Sequence, residues 1–122
     1  MKPDQNKQIE LLAPAGNAAA ALAAFDAGAD AVYAGLVKFN ARERSENFDA
    51  DTLGRVIEYA HQLGRKVYVT LNTVIKEQEL GEVVRYLSQL AGLNPDAVIV
   101  QDLGVVRLLR EYFPQLGIHA ST

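Results

Sequence analysis

The chain has 122 residues, 49% hydrophobic and 22% charged, with a formal net charge of −3 and neither cysteine nor tryptophan. These fractions fit one ordinary globular core. The missing cysteines exclude disulfides, a cysteine nucleophile and thiolate ligation of zinc or iron–sulfur clusters by these residues. Mild acidity argues against an extended basic surface for nucleic acid. A polar start at residues 1–8, and no run of about 18 apolar residues, argue against a secretory signal or membrane anchor. The expectation is a cytoplasmic domain with no membrane partner.

In chain order, a polar tail (1–8) precedes an apolar run at 9–13. Pro14-Ala15-Gly16-Asn17 then leads into an alanine-rich helix reaching Ala27, with Asn17 as N-cap and Gly28 as the left-handed residue that ends it. A second strand at 31–34 closes at Gly35, and a long connection follows from 36 to 47. Asp49 caps a second helix, whose Leu53, Val56, Ile57, Ala60 and Leu63 recur at spacings of three and four. Gly64 ends it. Strand three is read at 67–71. Helix three carries Leu80, Val83, Val84, Leu87 and Leu90 and is expected to stop at Gly92. Asn94-Pro95-Asp96 turns into strand four at 97–100. Asp102 caps helix four, with Val105, Val106, Leu108, Leu109 and Tyr112 read as inward-facing and Pro114 as the stop. Ile118 and His119 open a fifth strand.

Strictly alternating strands and helices imply an α/β fold with a parallel sheet and right-handed crossovers. A flavodoxin-like doubly wound sheet and the N-terminal half of a TIM (β/α)8 barrel compete. Strand faces favour the barrel. Val67, Val69 and Leu71 share one face; Tyr68, Thr70 and Asn72 share the other. Gln101 falls with Ile99 and Ala97, and His119 with Ser121. Glu10 facing a helix layer would leave a buried, unpaired charge. A sheet covered by helices on both sides would be apolar on both, whereas a polar inner face suits a barrel. A complete barrel needs about 250 residues, so 9–122 reads as a partial barrel domain, four βα units plus the start of a fifth strand.

Ligand sites in parallel α/β folds lie at the carboxyl ends of the strands. Gly16 and Asn17, at a helix N-terminus, are candidates for holding an anion, or simply form a tight strand-to-helix turn. Asn40 and Arg42 lie on the long second connection, where the guanidinium can grip an anionic group or pair with Glu43 or Glu46. Asn72, Gln101 and Ser121 are candidate substrate contacts on the inner face. Glu10, Asn72 and His119 are the candidate catalytic groups. His119 and Ser121 lack the orienting acid of a triad. His61 reads as a solvated surface residue, and the two histidines do not make a metal site. Residue chemistry alone specifies no reaction.

The strings themselves say more. Glu10-Leu11-Leu12-Ala13-Pro14-Ala15-Gly16, Gly28-Ala29-Asp30-Ala31-Val32-Tyr33-Ala34-Gly35, Phe39-Asn40-Ala41-Arg42, Val69-Thr70-Leu71-Asn72-Thr73, Asp96-Ala97-Val98-Ile99-Val100-Gln101-Asp102 and His119-Ala120-Ser121-Thr122 occur in this order. The chain thereby resembles the amino-terminal half of the barrel in the collagenase-like peptidase family, also called peptidase U-thirty-two. The resemblance implies a parent enzyme acting on protein or peptide, or one that hydroxylates bases of ribosomal or transfer RNA. Its hydroxylating members use an iron–sulfur cluster held by cysteines beyond the matching region, so no cofactor is expected in this chain itself. The strings at 69–73, 101–102 and 119–122 look closer to the ribosomal-RNA-hydroxylating branch. A third expectation is an inactive 122-residue chain that self-associates through open sheet edges.

Overall fold

The computed structural model describes residues 9–35, 49–71, 80–100 and 102–120. Three side chains read as helix caps act as caps. Asn17 Oδ1 accepts from the Ala20 N–H at 2.8 Å, Asp49 Oδ1 from the Thr52 N–H at 2.8 Å, and Asp102 Oδ1 from the Gly104 N–H at 2.6 Å. They open α1 (Ala18–Asp26), α2 (Ala50–Gln62) and α4 (Leu103–Tyr112). Gly28 and Gly64, just past α1 and α2, take φ of 107° and 73°, where a Cβ would be strained. Helix α3 (Leu80–Leu93) does not stop at Gly92. It runs one residue further, and Asn94, at φ 61°, takes the left-handed role that asparagine tolerates.

The strands are β1 (Leu12–Pro14), β2 (Ala31–Gly35), β3 (Lys66–Leu71), β4 (Ala97–Val100) and β5 (Ile118–Ala120). The first is shorter than the apolar run at 9–13 and lies later in the chain. All pairs are parallel, in the sequential order β1-β2-β3-β4-β5. One core holds residues of all four helices, among them Phe25, Leu53, Ile57, Leu87, Leu90, Val105 and Leu109, against Val32, Val67, Val69 and Val98. All four helices therefore cover the same sheet face. Sequential order with one-sided helices is the first half of a (β/α)8 barrel and not a doubly wound sheet, whose strand order reverses and whose helices cover both faces. Two residues differ from their reading: Tyr112 is 55% exposed and Leu63 44%, the first being the last residue of α4 and the second the C-cap of α2.

The amino ends of the strands are tied by a repeated device. The Asp30 N–H donates to Leu11 O at 2.8 Å, and the Leu11 N–H donates to Asp30 Oδ2 at 2.8 Å. Two strands later the Asp96 N–H donates to Val67 O at 2.9 Å, and the Val67 N–H donates to Asp96 Oδ2 at 2.8 Å. Each aspartate opens an Asp-Ala-Val string and clasps the strand before it. Asp96 Oδ2 also accepts from His61 Nε2 at 2.9 Å. His61 is thus tied to the base of β4, not free in solvent as its place off the apolar stripe suggests. Arg65 reaches from the α2–β3 turn to the carbonyl oxygens of Phe25 and Ala29, a cation at the C-terminus of α1.

Candidate functional site

The sheet face away from the helices carries Tyr33, Tyr68, Ile99 and His119. The register places Tyr33 beside Tyr68, Tyr68 beside Ala97, and Ile99 beside His119. Alternation along β3 makes the split unavoidable: with Val67 and Val69 in the helix-side core, Tyr68 must point inward. A second, smaller cluster forms there from Ala31, Tyr68 and Ala97, with Tyr33 and Ile99 packed on it. The inner face is therefore not lined by polar groups alone. Small and aromatic side chains make a floor on which a few polar atoms are placed.

Tyr68 is the centre of this face. It is 5% exposed, and its hydroxyl lies 3.0 and 3.1 Å from the two carboxylate oxygens of Glu10, to which it donates. Burial, then the hydrogen bond and negative charge of Glu10, with the charge of Asp96, push its pKa up to about 12. At neutral pH Tyr68 is a fixed hydrogen-bond donor rather than a base or nucleophile. Lys66, one inner position earlier on β3, places Nζ 3.9 Å from Glu10 Oε2. Both partners are substantially exposed, so this pair adds little beyond local charge balance. Across β4, the ring of His119 meets that of Tyr68 edge-on, with centroids 4.9 Å apart and planes at 63°. Contact between β3 and β5 is the alternate-strand layering of a barrel interior.

Of the candidate catalytic groups, the structure brings Glu10 and His119 to one tyrosine. Glu10 precedes β1 and approaches from the amino ends of the strands. His119 lies in β5, level with Ile99 and open to the inner space. Gly16 and Asn17 sit past the carboxyl end of β1, where α1 starts; the Asn17 side chain occupies the Ala20 N–H. Asn40, Arg42, Asn72, Gln101 and Ser121 lie outside the described residues. Alternation in the sequence places Tyr68 on the inner face, but no motif in the sequence marks it as a candidate site residue. Its signal is a tyrosine in phase with Asn72 on a strand whose other face is entirely aliphatic. The sequence holds no cysteine, and among the described residues no three of His, Cys, Asp and Glu converge. These residues do not fit an iron–sulfur cluster. No helix among the described residues is long and apolar enough to cross a membrane.

A one-sided parallel sheet with a mixed polar and aromatic inner face defines a protein of the (β/α)-barrel class. Residues 16–122 match the family model described as Peptidase family U32, and the chain belongs to that family. It is 41% identical over 112 residues to tRNA hydroxylation protein P of Escherichia coli, covering 92% of this chain and 25% of that protein. It is 41% identical over 115 residues to a 23S rRNA 5-hydroxycytidine synthase of Escherichia coli, covering 94% and 17%. It is 42% identical over 113 residues to an uncharacterized protease of Methanocaldococcus jannaschii, covering 93% and 27%. The chain thus spans about a quarter or less of the length of these relatives. No solved structure gives a significant match.

Proposed function

We propose that the protein takes part in hydroxylating RNA bases, with these residues supplying part of the inner wall of its barrel. The observation that carries this reading is the similarity, over nine-tenths of the chain, to proteins named for tRNA hydroxylation and for making 5-hydroxycytidine in 23S rRNA. The inner-face chemistry agrees with it. Tyr68 keeps its proton at neutral pH and spends it on Glu10, so what the described residues offer a planar ring is flat apolar surface and the exposed imidazole of His119. They do not bring together a nucleophile with its base and an orienting acid, the constellation of peptidases that work through a covalent acyl-enzyme. Any iron–sulfur cluster belongs, on this proposal, to chain outside these residues, and the protein works in the cytoplasm.

A peptidase is the second reading, favoured by the family's description and by the archaeal relative's name. Deleting the gene and measuring the nucleosides of total RNA by mass spectrometry separates the two. Loss of one hydroxylated nucleoside, restored by the gene, is expected. An unchanged nucleoside inventory, together with casein cleavage by the purified full-length protein, would sink the hydroxylation reading.

A further inference from the structure

Tyr68 and His119 form an arrangement that no residue-by-residue reading assigned. A tyrosine ring buried on the inner face normally keeps some freedom about its Cβ–Cγ axis. Here the hydroxyl is tethered to Glu10 from the far side of β2, and the ring packs with Ala31, Ala97, Tyr33 and Ile99. The tether fixes where the far end of the ring lies, and the packing holds its plane. His119 sits against that fixed ring but is itself exposed, and among the described residues neither of its ring nitrogens has a hydrogen-bond partner. An exposed imidazole packed on an aromatic neighbour, with no hydrogen-bond partner among the described residues, is ready to contact a ligand.

We propose that His119 hydrogen-bonds an edge of the target base, and that Tyr68, held by Glu10, is its positioning residue. This rests on the RNA-base reading above and adds the substrate contact to it. Three features favour a nucleobase over a simple anion. The wall beside His119 is apolar and aromatic, through Ile99 and the ring of Tyr68. Among the described residues of this face the ionised side chains, Glu10 and Lys66, pair with each other, and neither is recorded against His119, so no cation stands beside the imidazole to hold an anion. A base presents the flat surface and the polar edge that such a wall and an imidazole match. Glu10 acts through Tyr68, which touches both it and His119.

The test uses the full-length protein, with variants expressed in cells lacking the gene and then assayed in purified form on unmodified RNA. His119→Ala is expected to lower kcat/KM by about tenfold or more, the equivalent of losing one good hydrogen bond to the reacting complex. Tyr68→Phe keeps the ring but releases its far end from Glu10, and should lower kcat several-fold with KM little changed. Glu10→Gln, which retains an acceptor oxygen for the tyrosine, should lose less than Glu10→Leu. A purely structural role would instead move only the melting temperature, and would not separate kcat from KM or Gln from Leu. Full hydroxylation by His119→Ala, in cells where deletion abolishes the modification, overturns this inference and leaves the functional reading standing. Tyr68→Phe and Glu10→Leu proteins with wild-type kcat overturn the positioning role. A deletion that removes no hydroxylated nucleoside overturns the reading and the inference together.

Discussion

At Tyr68, burial and a neighbouring carboxylate act in the same direction. Both favour the protonated phenol, and the folded protein holds it to about pH 12, against 10 for a free tyrosine. The sign of the linkage follows. The fold binds this proton more tightly than the unfolded chain does, so the stabilisation is complete below pH 10 and is lost as pH rises from 10 through 12. Absorbance at 295 nm should show a late tyrosine phase near pH 12 that Tyr68→Phe abolishes; completion of all tyrosine titration by pH 11 in the folded protein would contradict it. Asp49 shows the opposite shift. Hydrogen bonds from the Thr52 backbone and side chain hold its carboxyl below the ordinary value, as an N-cap carboxylate should be.

At the scale of elements, the aspartates at 30 and 96 do the same work at the amino ends of two strand pairs. Each satisfies a strand N–H that has no ladder partner and fixes where the next strand begins. Asp96 carries a second bond to His61, joining α2 to the β3–β4 pair. Asp96→Ala is expected to cost about 1–3 kcal/mol, because it leaves the partly buried Val67 N–H unpaired. Asp96→Asn, which keeps an acceptor, should cost less. Midpoints of urea denaturation at pH 7 check both, and equal midpoints for the two variants would show that the acceptor oxygen is not what matters. The repeated Asp-Ala-Val string is visible in the sequence; its role is not, since the bonded partners lie 19 and 29 residues earlier.

For the molecule as a whole, stability resides on the helix side of the sheet. Leu53, Leu87, Leu90 and Leu109 are completely buried there, and each Leu→Ala change should cost about 2–5 kcal/mol, measured by the same denaturation. Inner-face changes at His119, which is exposed, should cost far less. The outer edges have a different character. β1 and β5 each pair on one side only among the described strands, Ile9 and Leu11 beside β1 are 89% and 54% exposed, and a groove lined by Leu109, Arg110, Phe113, Pro114, Leu116 and Ile118 lies beside β5. Open parallel edges flanked by apolar surface favour pairing between chains. The 122-residue chain on its own is therefore expected to self-associate, and light scattering that reports a compact monomer over a wide concentration range would refute this.

Much of the architecture follows from local chemistry. Helix periods of three and four, caps at Asn17, Asp49 and Asp102, and the alternation of Val67, Tyr68, Val69 and Thr70 determine the elements and both sheet faces, because these depend on residues within one turn or one strand. The ordered strings identify the family, since they are matched residue by residue. Other features depend on residues far apart in the chain. That Glu10 and His119 meet the same tyrosine is decided by five parallel strands in sequential order, which bring residues separated by 58 and 51 positions together. The tether of His61 to Asp96 likewise needs α2 packed over the start of β4. Periodicity assigns a side chain to a face; only the register between strands decides which neighbour it finds there.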